Sequence, residues 1–114
     1  TGAYELRTIN GSQNGQGFRM PMSGEVKEIS IQFDCTTHTG NADVVVQLYK
    51  NGVAVSGRTV TVTVTGTGDF GGVSTTFTGE SFAQGDRLGL WINHSVTGIT
   101  TANHAAILRV VDTN

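Results

Sequence analysis

A single cysteine and a single proline stand among the 114 residues, and only 14% of the side chains are charged. One cysteine excludes an internal disulfide, so nothing here implies an oxidising compartment. Cys35 ends an apolar strand-like run, and no His/Asn pair is visible to activate it. It reads as a buried, inert thiol rather than a reactive one. Soluble domains carry about 25% charged residues; here seven basic and nine acidic side chains are scattered and leave a formal charge of −2. Without a basic stripe, a nucleic-acid partner is not expected. No apolar run approaches the length of a membrane span, so membrane insertion is not expected either. The opening residues Thr1 to Arg7 contain no apolar core of a secretory leader. A small residue at position 1 fits a start left by removal of an initiator Met, and equally an excised domain. Helical periodicity is nearly absent, and there is no internal repeat.

What is present is glycine (16 residues), abundant threonine and strict alternation. One domain is the expectation for this length, and it is long enough to bury a real core without staples. From Asp43 to Val55 the chain reads Asp-Val-Val-Val-Gln-Leu-Tyr-Lys-Asn-Gly-Val-Ala-Val. Asn51-Gly52 between two β-rich runs predicts a two-residue hairpin, because both turn positions of a type I′ turn need positive φ. Arg58 to Thr65 alternates Thr and Val, placing Val60, Val62 and Val64 on one face and Thr59, Thr61 and Thr63 on the other. Leu88, Leu90 and Ile92 alternate with Gly89, Trp91 and Asn93. Ile29, Ile31 and Phe33 alternate with Ser30, Gln32 and Asp34. Val26 is out of phase with that set, which predicts a bulge near Lys27-Glu28. Val44, Val46 and Leu48 define another inward face, with Val45, Gln47 and Tyr49 opposite. Ala105 to Val111 predicts a last strand, apolar on both faces except at Arg109. Turn clusters separate these runs, including 10–17, 20–24, 36–41, 66–72, 84–86 and a long loop at 93–103. The spacing predicts an all-β fold, an antiparallel sandwich or barrel of about eight strands. Pro21 precedes a strand, where its missing N–H harms no ladder.

Three landmarks occur in order. The first is Asn14-Gly15-Gln16-Gly17-Phe18-Arg19-Met20-Pro21-Met22-Ser23-Gly24-Glu25-Val26. The second is Val46-Gln47-Leu48-Tyr49-Lys50-Asn51-Gly52. The third is Phe82-Ala83-Gln84-Gly85-Asp86-Arg87-Leu88-Gly89-Leu90. This order, over about residues 14 to 111, resembles the jelly-roll heads of the complement globular-head and tumour necrosis factor superfamily. Those heads show an aromatic and then Pro-x-Ser-Gly, a Leu-x-Lys-Asn-Gly hairpin, and a late Gly-Asp-Arg-apolar turn. The chain departs from them in lacking a collagen stalk and in ending on Ala105-Ala106-Ile107-Leu108 rather than an aromatic-rich strand. Gly24 to Ile31 and the Thr-Val repeat look more like the small jelly-roll domains of bacteriophage virions. The resemblance implies a jelly-roll sandwich over residues 1–114, with 1–13 an anchoring arm or first strand. It implies a homotrimer at the virion surface, binding capsid or fibre proteins as a capsid decoration (cement) or head-fibre protein. The alternative it implies is a receptor-binding or carbohydrate-binding head, with a host-surface glycan as ligand.

No constellation predicts an enzyme. Ser12, Ser23, Ser30, Ser56, Ser74, Ser81 and Ser95 lie outside any Gly-x-Ser-x-Gly. Glu25, Glu28 and Glu80 are not paired by the sequence for glycosidase chemistry. The Gly15-x-Gly17 and Gly66-x-Gly68 pairs are not phosphate loops, since no helix follows them. His38, His94 and His104 lack zinc spacing. Asp34, Asp43, Asp69 and Asp86 sit at strand edges or turns and read as turn caps. The Asp69 loop, residues 67–72, lacks the ladder of acidic residues that calcium takes. No cofactor and no metal are therefore expected. Trp91, on the face opposite Leu90 and Ile92, would stack on a sugar or pack a subunit contact, and the second is favoured. Val45, Tyr49, Trp91 and Leu108 are the expected subunit contacts. The expected partner or ligand loop contains His94, Thr97, Thr100, Asn103 and His104. Asn10-Gly11-Ser12 and Asn93-His94-Ser95 match the glycosylation acceptor pattern by chance.

Overall fold

Alternating β-branched residues form strands along nearly the whole chain. The computed structural model describes residues 17–93 and 96–113, and the backbone of 3–9. The strands are β1 (Ala3–Ile9), β2 (Phe18–Arg19), β3 (Gly24–His38), β4 (Ala42–Lys50), β5 (Val53–Val64), β6 (Gly68–Val73), β7 (Ser81–Phe82), β8 (Arg87–Ile92) and β9 (Ile99–Asp112). One sheet runs β1-β9-β3-β6, with the short β7 added on β3, and the other runs β2-β8-β4-β5. Every pairing is antiparallel. Apart from β7, the pairs nest about one turn: β4 with β5, β3 with β6, β2 with β8, and β1 with β9. Eight strands nested in this way across two sheets are a jelly roll.

The turn at the centre of the nest is Asn51-Gly52, with φ of 53° and 83° as a type I′ turn requires. Its Asn51 also binds the turn before β8. Asn51 N–H donates to Arg87 O (2.9 Å), Arg87 N–H donates to Asn51 Oδ1 (2.9 Å), and Asn51 Nδ2 donates to Asp86 Oδ1 (3.1 Å). Asp86 Oδ2 accepts from Ala83 N–H, while Met20 N–H donates to Asp86 O and Gly85 N–H to Met20 O. Gln84 N–H donates to Ser23 Oγ at 3.2 Å. The described parts of the three sequence landmarks thus meet in one hydrogen-bonded knot at one end of the sandwich.

The core lies between the sheets. Val44, Val46, Leu48, Val60, Val62, Val64, Leu88, Leu90 and Ile92 from one sheet face Ile29, Ile31, Phe33, Ala106, Leu108 and Val110 from the other, all buried. Each such Leu, Ile or Val contributes about 1.5–3 kcal/mol by leaving water. The phase break at Val26 is a register shift between Val26 and Glu28, as predicted. Cys35 is buried.

Three expectations are corrected. Leu108 is 1% exposed and packs in its own core, because its neighbour on the inward face is Ala106, not Ile107. The 93–103 loop is shorter than predicted: β9 begins at Ile99, so Thr100, Asn103 and His104 are strand residues. Residues 68–72 lie in β6 rather than a loop. Of the two alternatives for the start of the chain, residues 3–9 take that of a first strand, pairing with β9 from Ala105 to Val111.

Gly24 is required by close approach. A Cβ there would meet Val111 O at 2.2 Å and the Phe82 ring at 3.0 Å, since β3 starts between β9 and β7. Gly24→Ala is expected to lower the urea midpoint, whereas alanine at Gly40, where nothing lies within 4 Å, leaves it nearly unchanged. Leu108→Ala should cost about 2–5 kcal/mol in the same assay. The Ala83 N–H, then Asn51, hold the Asp86 carboxyl below its ordinary range. A depressed carboxylate stabilises the fold above its unfolded pKa, and that stability is lost as pH falls through the folded value. Asp86→Asn is therefore expected to lower Tm at pH 7 and to flatten part of the acid-side loss.

Candidate functional site

Two places on the molecule combine side chains in ways the fold alone does not require. The first is the outer face of β2-β8-β4-β5. Its central rung runs Trp91, Gln47, Thr59 across β8, β4 and β5. On one side lies Gly89, Tyr49, Ala54, and on the other Val45 beside Thr61. Asn93 Oδ1 accepts from Val45 N–H and so fixes the strand exit next to Trp91. None of these residues is charged. Trp91 is 40% exposed, while Val45, Gln47 and Tyr49 are half-buried. Asp43 at the rim accepts from Thr63 Oγ1 at 2.8 Å.

Gln47 is fixed in place. Between Gln47 and Tyr49 the register shifts, and β5 bulges through residues 55–58. Gln47 Nε2 fills that gap, donating to Val55 O (2.7 Å) and Leu48 O (2.8 Å), with Arg58 O at 3.3 Å. The centre of the face is therefore uncharged and held in place by Gln47, with two aromatic residues on its diagonal. Period-two alternation already placed Val45, Tyr49 and Trp91 there.

The second place lies where β3, β6 and β9 meet. Ala102 pairs with Asp34 and Ala105 with Gln32, so Asn103 and His104 both oppose Phe33. This is a bulge, and Asn103 enters it with φ 57°. Left-handed backbone suits Asn better than most residues. The bulge turns Asn103 outward, where its Nδ2 donates to Asp34 Oδ2 at 2.8 Å. It turns His104 inward, 4% exposed, stacked on Phe33 at 6.1 Å with Nε2 2.6 Å from Thr101 Oγ1. Asp34 and Asp69 are direct cross-strand partners. A cavity of about 230 Å³ opens between Gln32, Phe33, Asp34, Asp69, Phe70 and Asn103.

Asp69 and then Asn103 hydrogen-bond to Asp34 and hold its carboxyl below the ordinary range. The same bond to Asp34, reinforced by its charge, pushes Asp69 up. Two carboxyls directly opposite each other disfavour ionisation of both together, and the two shifts run in opposite directions accordingly. Among the described residues, no three His, Cys, Asp or Glu side chains gather as a metal would need.

The expected partner loop is not one site. Thr97 lies in the turn before β9, Thr100 is exposed on β9, Asn103 points outward and His104 points into the core. His94 lies outside the described residues, as do residues 10–16 and Ser95, and with them the whole of the first glycosylation pattern and part of the second. The Asp34, Asp69 and Asn103 cluster was missed because each Asp read as a lone turn cap. The available signal was the change of phase within 99–110, where Ile99 and Ala106 point inward at an odd separation.

In comparisons with known proteins, no family model matches the chain and no curated protein matches it.

Asn103→Ala forces a Cβ residue without a local hydrogen bond into the left-handed region, which costs about 1–2 kcal/mol. Asn103→Gly keeps the backbone and loses only the bond to Asp34. In chemical denaturation the Ala variant is expected to be the less stable of the two.

Proposed function

We propose that the protein is a non-enzymatic virion surface protein, a homotrimeric jelly roll acting as capsid decoration or head fibre on a bacteriophage. The observation that carries this reading is the uncharged centre of the outer face of β8-β4-β5, with Trp91, Tyr49 and Val45 on it. Interface cores are depleted in charge and enriched in Trp and Tyr. A preorganised sheet face loses little side-chain freedom on association. The viral setting rests on the order of the Pro21-Met22-Ser23-Gly24, Asn51-Gly52 and Gly85-Asp86-Arg87 turns and on the jelly-roll wiring they close. In this role the sandwich clamps: one face of each sheet builds the core, one outer face packs a neighbour, and the loops meet capsid or fibre proteins.

A second reading places a neutral host-surface glycan on the same face. It is favoured by Trp91, whose ring is accessible on a face that also carries the hydroxyls of Thr59 and Thr61, across β4 from it.

Light scattering tests the trimer. The expected mass is three times the 12.0 kDa chain. Trp91→Lys, judged folded by circular dichroism, should yield monomer, because a central interfacial Trp typically contributes about 2 kcal/mol or more. A monomeric wild-type protein that binds glycans in a Trp91-dependent way would favour the second reading. Cosedimentation with purified bacteriophage heads tests the setting.

A further inference from the structure

We propose that Asp34 and Asp69 form a proton-operated latch: one shared proton holds the start of edge strand β6 on β3, and its loss loosens that end of β6 and opens the cavity they line. The argument starts from register. Asp34 and Asp69 are paired directly across the two strands, flanked by the pairs Phe33–Phe70 and Cys35–Gly68. Like charges directly opposite in a sheet destabilise it. The pair is tolerable when one carboxyl keeps a proton and donates to the other. Asn103, set outward by its bulge, gives Asp34 a further donor and so marks it as the ionised member.

No described cation is placed to neutralise both. On β3, Lys27 pairs with Glu25; on β9, Arg109 pairs with Glu28; on β5, Arg58 pairs with Glu80. The neighbours of the pair on its own face are Gln32 and Thr36 on β3, Gly71 on β6 and Asn103 on β9. His104 lies on the inner side, against Phe33 and Thr101. His38, near the end of β3, bonds Asn41 Oδ1 at 2.9 Å.

β6 has a partner on one side only, as an edge strand bonded to β3. Releasing its first residues separates Phe70 from Phe33, whose rings stack at 6.1 Å and 18°. The sign follows from the two carboxyls. The raised Asp69 favours the folded strand as pH falls toward and below its folded pKa. The lowered Asp34 favours it above the value at which that group is protonated. The latch is closed between these limits, with one proton on the pair, and it opens as pH rises.

The test is hydrogen exchange of the β6 amides from pH 4.5 to 7, corrected for intrinsic rates, with carboxyl carbon NMR shifts of both residues. The expected result is protection that falls with rising pH, by about tenfold per unit of displacement in Asp69. In Asp69→Asn the amide donates to Asp34 without a proton, so β6 protection should be flat with pH and higher than wild type at pH 7. Asp34→Asn should flatten it too, while Asp43→Asn should not. Flat wild-type protection, or both carboxyls titrating in the ordinary Asp range, would overturn the proposal. So would calcium restoring protection at pH 7 in wild type but not in Asp69→Asn, since a cation and not a proton would then close the pair.

Discussion

Asn51 joins two turns that are 36 positions apart in sequence, and the nesting of the jelly roll depends on that join. The β4–β5 hairpin could form locally, because Asn-Gly supplies its turn. A hairpin alone is marginal in water. Two backbone-to-Asn51 bonds between the hairpin tip and Arg87 lock β8 beside β4. Asp86 then orders the turn that carries β8, and Met20 and Gly85 bind each other to bring the approach to β3 against it. Once this end is closed, the pairs β3–β6 and β1–β9 can only wrap around the same axis. The knot is polar and local in its chemistry, but its effect is to choose one topology from the many that the same valine pattern would allow.

This explains why three weak sequence motifs are informative together. Pro-x-Ser-Gly, Asn-Gly and Gly-Asp-Arg are ordinary turns in isolation. In the folded chain they are partners in one hydrogen-bond network, so their order reports a spatial constraint. That constraint belongs to the fold. It carries no information about a ligand, because the knot's side chains are occupied with one another. Fold resemblance and functional identity therefore separate here at the level of named atoms.

Alternation was legible wherever a strand kept one phase. Val44, Val46 and Leu48 face in, with Val45, Gln47 and Tyr49 out, and the same holds for the Val and Thr rows of β5. Even the bulge after Val26 was visible, because a single apolar residue fell out of step. The Asn103 bulge was hidden by its own residues. Apart from Ile99, Thr97 to Asn103 are polar or small, which reads as a loop, and a positive-φ Asn within a strand has no sequence signature distinct from a turn Asn. Missing that bulge hid the candidate cluster as well, since it is the bulge that brings Asn103 to Asp34. Leu108 was misread for a related reason. When both faces of a strand are apolar, alternation cannot say which set faces in, and the answer comes only from the partner strand β3.

The few charges are distributed unevenly, and that distribution separates the two outer faces. Two ion pairs, Glu25–Lys27 and Glu28–Arg109, lie on β3 and β9, and the third joins Arg58 to Glu80 across the sandwich side. Each is partly exposed and contributes little to stability by itself. Their position matters more than their energy. Arg109 and Thr76 hold Glu28 ionised, which keeps charge over the middle of the β9–β3 surface. Charge on a broad sheet face discourages another apolar face from docking there. The opposite sheet has no such charges over its centre, and its two side-chain amides, Gln47 and Asn93, are already bonded to the backbone. A surface whose polar atoms are satisfied internally loses little hydration when covered. This contrast is what supports the proposed docking on the Trp91 face, while the Asp34–Asp69 end of the other face is open to solvent and to protons.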